Sequence, residues 1–148
     1  MKHIELSQGK YAIIDNEDFE WLSQWKWYFI PQGYAFRSQS GKTIYMHRKI
    51  LNTPKEKLTD HINRNKLDNR KVNLRIATRS QNAVNVKLFL TNTSGYRGVW
   101  WERRRNKWIA EIKYQGKKYY LGEYLNKLDA IKIRRQKTIE LFGKFAIV

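Results

Sequence analysis

The 148-residue chain contains no cysteine, which excludes a disulfide framework and a zinc site built on thiolates. It also lacks any apolar run near the roughly 20 residues that a membrane-spanning helix needs. Residues 1–5 do not show the basic-then-apolar layout of a signal peptide. No GxxxxGK[ST] loop is present, which argues against a nucleotide cofactor. We therefore expect a soluble intracellular protein with no membrane partner.

Acidic residues are scarce, with 13 Asp and Glu against 30 Lys and Arg, and the formal net charge is +17. Hydrophobic residues make up 41% and aromatic residues 14% of the chain, which is too much packing material for a disordered basic tail. The net charge is +3 over residues 1–58, +5 over 59–90 and +9 over 91–148. In the last segment basic and aromatic residues alternate, which suits a surface that binds a phosphate backbone. A solvated charged face over an aromatic core explains part of the same pattern.

The first third of the chain is predicted to form a small β-rich platform without catalytic residues. Residues 2–14 read as a β-hairpin with a turn at 7–9. A short helix carrying Phe19, Trp21 and Leu22 follows. The remaining predicted elements are strands at 25–30, 34–38 and 42–46 and a helix at 47–51.

Residues 58–87 have a different pattern, with two strands, a polar loop between them and a helix. The strands are predicted at 58–62 and 72–76, and Thr78 is predicted to cap a helix that runs to about residue 87.

The C-terminal third is predicted to form three strands and one helix after a linker at 89–94. The strands are placed at 96–102, 107–114 and 117–121, the last two joined by a Gly-containing turn. Asn126 is predicted to cap a helix that ends at Gly143. An apolar stripe, interrupted by Arg135, is predicted to pack this helix on the sheet and consists of Leu128, Ile131, Ile139 and Phe142. The opposite sheet face stays open and carries charge.

Four polar residues in the middle segment form a candidate catalytic set. His61 is a natural general base, and Asp60 and Asn82 offer hard oxygen ligands for magnesium or manganese. Asn73 can accept a hydrogen bond from the second imidazole nitrogen of His61 and so fix its tautomer. Alternatively, the Asp-His pair is structural or solvated, and the asparagines form turns.

The same segment resembles the HNH endonuclease motif of phage and intron-type homing nucleases. The resemblance is carried by Asp60-His61-Ile62-Asn63, Leu67-Asp68-Asn69-Arg70, Asn73-Leu74-Arg75 and Gln81-Asn82. It implies a ββα-metal (His-Me finger) fold with one divalent cation, in which His61 is the base, Asn73 orients it, and Asp60 and Asn82 bind the metal. Asn82 replaces the final histidine of the motif, and the absence of cysteine excludes the zinc-braced version.

Met46-His47-Arg48 also looks like a segment found upstream of that motif. His47 is interpreted either as a residue that supports the site or contacts a phosphate, or as a half-buried structural histidine. Arg70 and Arg75 are expected to hold the flanking phosphates.

The C-terminal third resembles the plant Apetala-2/ethylene-response-factor DNA-binding domain, in which a three-stranded sheet enters the major groove. The resemblance is carried by residues 95–99, 108–112 and 120–122. It implies DNA contacts by Arg97, Trp100, Glu102, Glu111, Lys113, Lys118 and Tyr120. Several arginines of that family are replaced here, and lysine and tyrosine do not reproduce the bidentate grip of arginine on guanine.

Together these observations predict an α+β fold with three parts. Residues 1–88 form a β-rich region with the HNH module, residues 89–94 a linker, and residues 95–148 a three-stranded antiparallel sheet packed on one helix. The predicted function is site-specific cleavage of double-stranded DNA by an HNH homing endonuclease. We expect a monomer or weak dimer in the cytoplasm, at the host nucleoid if the protein is phage-encoded. The alternatives are a non-catalytic DNA-binding regulator with an inactive HNH relic, and a structural or RNA-binding basic protein.

Overall fold

The computed structural model describes residues 1–88 and 90–147. The fold mixes helices with small antiparallel sheets. Its contacts divide the chain into two compact units, Met1–Arg79 and Ser80–Val148.

The strands are β1 Lys2–Glu5, β2 Tyr11–Ile14, β3 Tyr28–Phe29, β4 Ala35–Gln39, β5 Lys42–Tyr45, β6 Leu58–His61, β7 Leu74–Ala77, β8 Val99–Glu102, β9 Lys107–Tyr114 and β10 Lys117–Tyr124. The α-helices are α1 Phe19–Leu22, α2 Met46–Ile50, α3 Arg79–Val84 and α4 Lys127–Phe142.

The first unit contains three small sheets, and one cluster of buried apolar residues draws its strand members from the first two. The hairpin of β1 and β2 pairs Lys2 with Ile14, and β3, β4 and β5 form a second sheet in that order. Because side chains alternate along each strand, one face of β1, of β2 and of β4 carries the buried residues. The buried core residues are Ile4, Leu6, Ala12, Ile14, Leu22, Trp27, Ala35 and Met46.

The third sheet of this unit is the antiparallel pair of β6 and β7. Its register sets Asp60 opposite Arg75 and His61 opposite Leu74. A single turn of 3-10 helix, Lys71–Asn73, leads into β7. Of the four predicted catalytic and metal-binding residues, Asp60 and His61 therefore lie at the end of β6 and Asn73 in the loop that joins it to β7, whereas Asn82 lies on α3.

The second unit is a three-stranded antiparallel sheet in the order β10-β9-β8, packed on α4. Period-two alternation turns Val99 and Ala110 toward α4, where they pack with Ala130 and Ile131. Helix α4 begins at the predicted cap, because the side chain of Asn126 accepts a hydrogen bond of 2.8 Å from the main-chain N of Leu128.

Two local predictions are wrong. In the predicted apolar stripe of α4, Leu128 and Ile139 are 69% and 53% exposed, because the helix turns a face containing Ala130 and Thr138 inward instead. The strand predicted at 25–30 shrinks to two residues, since the indole of Trp27 is buried and donates to the carbonyl of Leu22 at 2.9 Å.

The predicted linker at 89–94 includes residue 89, which lies outside the described residues. The three-part domain division stays a prediction. Among residues 1–88 and 90–147, no helix has both the length and the apolar character needed to cross a membrane.

Candidate active site

The candidate site is built on the loop of residues 62–73, called here the site loop, which joins β6 to β7. Its two ends are held together by a hydrogen bond of 2.9 Å from the main-chain N of Ile62 to the carbonyl of Asn73. Short polar side chains fix its interior, as is typical of Asn-rich turns. The amide of Asn63 donates to Asp68 Oδ2 at 2.9 Å, and the main-chain N of Asn63 donates to Asn73 Oδ1 at 2.9 Å.

The site loop is also bound to the N-terminal hairpin. The main-chain N of Ile13 donates to the carbonyl of Leu67 at 2.8 Å, and the main-chain N of Asn69 donates to the carbonyl of Ile13 at 2.7 Å. The main-chain N of Lys71 donates to the carboxylate of Asp15 at 2.7 Å. The N-terminal platform therefore positions the loop on which the candidate chemistry depends.

His61, at the end of β6, is 5% exposed and contacts a buried asparagine of the site loop. Its Nε2 lies 3.0 Å from Oδ1 of Asn69, which is fully buried. The amide nitrogen of Asn69 lies 3.4 Å from the carbonyl of Leu67 and 3.6 Å from the sulfur of Met46. If the Asn69 amide were flipped, its oxygen would face the carbonyl oxygen of Leu67, and two acceptors would meet. The hydrogen bonds therefore assign the amide oxygen of Asn69 to the side of His61.

This geometry selects one tautomer of neutral His61. Because Asn69 presents an acceptor, Nε2 of the ring carries the proton, and the basic lone pair is on Nδ1. The pKa of His61 is lowered, mainly because burial disfavours the imidazolium. The hydrogen bond to Asn69 and the charges of Asp60 and Asp68 act in the opposite direction. His61 is therefore neutral near pH 7, in the form that accepts a proton.

Aromatic rings hold His61 from the side. His47, on α2, meets it edge-on with ring centroids 5.1 Å apart, and Tyr34 lies 6.0 Å from it. His47 is 6% exposed, and its pKa is lowered to about 3, first by burial and then by the charges of His61 and Arg48. A neutral, buried imidazole does not suit a cationic phosphate contact. The supporting and the structural interpretations of His47 both stay predictions.

Asp60, the residue before His61, is 5% exposed and forms an ion pair across the sheet. Both Nε and Nη2 of Arg75 lie 2.8 Å from its Oδ2. The side chain of Arg75 is 14% exposed. The pair satisfies the buried carboxylate and commits much of Arg75 to it.

Asp68 and Arg70 form a second, bidentate pair within the site loop. Nε and Nη2 of Arg70 donate to the two carboxylate oxygens of Asp68, each at 2.7 Å. These bonds lower the pKa of Asp68. The predicted roles of Arg70 and Arg75 at phosphates stay predictions.

Asn73 makes other contacts than the one expected from the sequence. Its amide nitrogen donates to the carbonyl of Asp68 at 2.8 Å, and its oxygen accepts from Asn63. Within the described residues, Asn73 thus bonds to main-chain groups of the site loop, and Asn69 makes the contact to the His61 ring. Asn69 was not among the predicted site residues, although Leu67-Asp68-Asn69-Arg70 carries part of the HNH resemblance.

Asn82 lies on α3 and is half-buried. Its main-chain carbonyl accepts from the main-chain N of Asn85 at 3.1 Å. The described residues contain no group of three or more His, Asp or Glu side chains able to hold a metal ion. A cation here would therefore depend on few carboxylates, together with amide oxygens.

The second unit brings the predicted DNA-contact residues of its strands onto one sheet face. The register pairs Glu111 with Tyr120 and Lys113 with Lys118, and alternation places Trp100 on the same side, opposite α4. We call this the open face, and its predicted members are Trp100, Glu102, Glu111, Lys113, Lys118 and Tyr120.

Comparisons with known proteins assign the family. The model of the HNH endonuclease family matches residues 52–84. A protein of Acanthamoeba polyphaga mimivirus named "Uncharacterized HNH endonuclease L560" is 30% identical over 145 residues, covering 94% of this chain and 74% of that protein. Protein 3.8 of Escherichia phage T7 is 34% identical over 93 residues, covering 63% of this chain and 76% of that protein. No solved structure matches.

The chain belongs to the HNH endonuclease family, and the predicted HNH resemblance is confirmed. The homing type, the ββα-metal arrangement and the Apetala-2 resemblance of the C-terminal third stay predictions.

Proposed function

We propose that this chain is a site-specific DNA endonuclease of the homing type that hydrolyses phosphodiester bonds with one divalent cation. Family membership supports nuclease activity. The observation that carries the mechanism is the buried contact of 3.0 Å between His61 Nε2 and Asn69 Oδ1. It supports a neutral imidazole whose basic nitrogen is Nδ1.

His61 acts in this mechanism as general base. Its Nδ1 takes a proton from a water molecule that attacks the phosphorus in line with the leaving 3′ oxygen. The imidazolium that forms donates through Nε2 to Asn69, so the asparagine stabilises the charged ring as well as its orientation. Because the pKa of His61 is lowered, the resting ring is already neutral and ready to accept the proton.

Asp60 and Asn82 are proposed to hold one magnesium or manganese ion. A buried carboxylate and an amide oxygen are hard donors, and magnesium sites in proteins commonly use only one or two carboxylates together with substrate phosphates and water. The donor chemistry therefore fits the ion. When bound, the cation would stabilise the charge that develops on the phosphate and the leaving oxygen.

The open face of the second unit is proposed to dock on the DNA duplex. Lysine side chains there offer phosphate contacts, and Trp100 and Tyr120 offer flat surfaces. The Apetala-2 resemblance implies the major groove. Arg70 and Arg75 are proposed to lie near the phosphates that flank the scissile bond.

Cleavage of a genomic DNA library with magnesium or manganese, followed by sequencing of the ends, tests this function. We expect discrete, metal-dependent ends from the wild-type chain. His61→Ala should lower the single-turnover rate by about 10²- to 10⁴-fold, the usual contribution of a general base. Its DNA affinity should stay near wild type, because His61 contributes little exposed surface.

His3→Ala is the matched control, since His3 is an exposed histidine of β1, and it should cleave like wild type. Absence of any nicking by the wild-type chain would favour the non-catalytic regulator. An equal loss of DNA binding in His61→Ala would make His61 structural.

A further inference from the structure

Arg97 was expected on the DNA-contacting surface, but its guanidinium is directed to main-chain carbonyls of its own unit. Nη1 donates to the carbonyl of Ala83 at 2.9 Å, and Nη2 donates to the carbonyls of Val86 and Lys87 at 2.6 and 3.2 Å. Ala83 lies in the last turn of α3, which ends at Val84. Val86 and Lys87 lie two and three residues after that end. Carbonyls at a helix C-terminus lack helical partners and favour a nearby cation.

The backbone that carries Arg97 is itself firmly held. A Cβ added to Gly98 would lie 2.2 Å from the carbonyl oxygen of Glu111 and 2.8 Å from Nε of Arg134. The main-chain N of Glu111 also donates to the carbonyl of Gly98 at 2.8 Å. Arg97 therefore projects from a chain segment pressed between β9 and α4.

The segment just before Arg97 is equally ordered. Ser94 is 3% exposed, and its hydroxyl lies 2.8 Å from the carbonyl of Tyr96. The main-chain N of Gly95 donates to the side chain of Asn92 at 2.7 Å. Side-chain to main-chain hydrogen bonds of this kind are typical of a folded turn. The residues that precede Arg97 therefore form defined local structure.

We propose that Arg97 is a positioning residue that fixes the end of α3 to the C-terminal sheet, and that it is not a DNA contact. Because α3 carries Asn82, the contact would help to hold the backbone of a proposed metal ligand. This inference rests on the proposed function for its catalytic consequence. Gly98, the neighbour of Arg97, is bonded to Glu111 of β9, and β9 also presents Glu111 and Lys113 on the open face. The proposed DNA docking and the placement of α3 would therefore depend on the same strand.

The test compares Arg97→Gln with Arg104→Gln. Both remove one positive charge, and Arg104 is an exposed residue of the turn between β8 and β9. Hydrogen exchange of the peptide 80–88 is the first readout. Arg97→Gln should speed its exchange about 10-fold or more, because local opening becomes easier, whereas Arg104→Gln should leave it unchanged.

DNA binding is the second readout. A phosphate contact would contribute about 0.9 to the slope of log affinity against log salt. If Arg97 only positions α3, Arg97→Gln should lower this slope no more than Arg104→Gln does. The single-turnover rate at saturating DNA should fall about 10-fold in Arg97→Gln, with more magnesium needed for half-maximal rate.

Arg97→Lys keeps the positive charge but lacks the two guanidinium nitrogens that donate to different carbonyls. The hydrogen-exchange rate of the peptide 80–88 in this variant should lie between those of the wild type and Arg97→Gln. Unchanged exchange in Arg97→Gln would overturn the proposal, as would a loss of salt slope specific to that variant. If the wild-type chain does not cleave DNA at all, the proposed function fails, while the exchange and binding comparison still decides the role of Arg97.

Discussion

The site loop and the open face of the sheet use their charged residues in opposite ways. Near the site, Asp60 pairs with Arg75 and Asp68 with Arg70 at 2.7 to 2.8 Å, and both carboxylates are at least nine-tenths buried. Buried, hydrogen-bonded pairs restrict the groups that they join, although they add little net stability. The site loop therefore gains a defined geometry from its charges.

On the open face the charges are exposed. Lys118 and Glu111 approach to 3.4 Å, yet the lysine side chain is 71% exposed. Exposed pairs of this kind contribute about 0–1 kcal/mol and are screened by salt. The two ion pairs near the site are each neutral and add nothing to the net charge of +17. The difference teaches that paired charges order the site loop, whereas the charges of the open face are mostly exposed to solvent.

Gly98→Ala should cause the largest loss of stability. It would show that the sheet unit is tightly packed beneath its exposed charged side chains. The added Cβ meets the carbonyl of Glu111, and Gly98 has φ +69°. We expect a loss of at least about 3 kcal/mol in the opening free energy of the β9 amides. Hydrogen exchange in urea measures it.

Gly116→Ala is the control for that substitution. Gly116 also has a positive φ, of +82°, but nothing lies within 4 Å of an added Cβ. It should cost only about 1–2 kcal/mol, from backbone strain alone. Equal losses in the two variants would contradict a packed contact at Gly98.

Asn69→Ala tests whether the site loop fixes the tautomer of His61. Without the acceptor, cleavage at saturating DNA should slow by about 10- to 100-fold, with unchanged DNA affinity. Asn69→Asp keeps an acceptor and should retain more activity. The ¹⁵N shifts of the His61 ring should report a protonated Nε2 in the wild-type chain, and a protonated Nδ1 would refute the assignment.

Acidification should weaken the first unit through His47. The pKa of His47 is lowered to about 3 in the folded protein, from an ordinary value near 6.5. Between these two pH values the imidazole is protonated in the unfolded chain but neutral in the folded chain. Stability is therefore lost as pH falls from about 6.5 toward 3, by about 1–2 kcal/mol between pH 7 and pH 5. Urea midpoints against pH measure this loss.

His47→Gln should make that pH profile shallower, and His61, whose pKa is also lowered, accounts for part of the slope that remains. His3→Gln, at an exposed position, should keep the wild-type slope. A slope between pH 7 and pH 5 that is unaffected by His47→Gln would mean that the folded protein protonates this imidazole.

Substitutions on the open face should have the smallest individual effects. Lys113→Gln and Lys118→Gln together should lower the salt slope of DNA binding by up to about 2 without changing the folding stability. Lys132→Gln, at an exposed position of α4, is the control. A slope equally reduced by Lys132→Gln would indicate diffuse attraction in place of a docking face.

The secondary structure of the second unit was predicted best, because short sequence patterns mark its strand and helix ends. Strand β9 has the predicted bounds, Lys107–Tyr114, because alternation and turn residues mark a strand within a few positions. The cap at Asn126 is equally local. The buried face of α4 was not predictable in this way, since Leu128 and Ile139 match the helical period but lie outside the area that the sheet covers.

The candidate site shows the same limit. The motif identified His61 and Asn73, but their contacts depend on how the site loop folds against Ile13, a residue distant in the sequence. Asn69 looks like a turn former from its neighbours alone. Only tertiary packing brings its amide oxygen to the imidazole.

The ion pair with Arg75 gives Asp60, a proposed metal ligand, a cationic partner within the protein. In domains that zinc holds together, the cation neutralises its ligands and the apo chain unfolds. Here an arginine of the neighbouring strand supplies the compensating charge to Asp60. The buried carboxylate of Asp60 is therefore compensated by the protein itself, and folding of the first unit would not depend on the proposed cation for this charge.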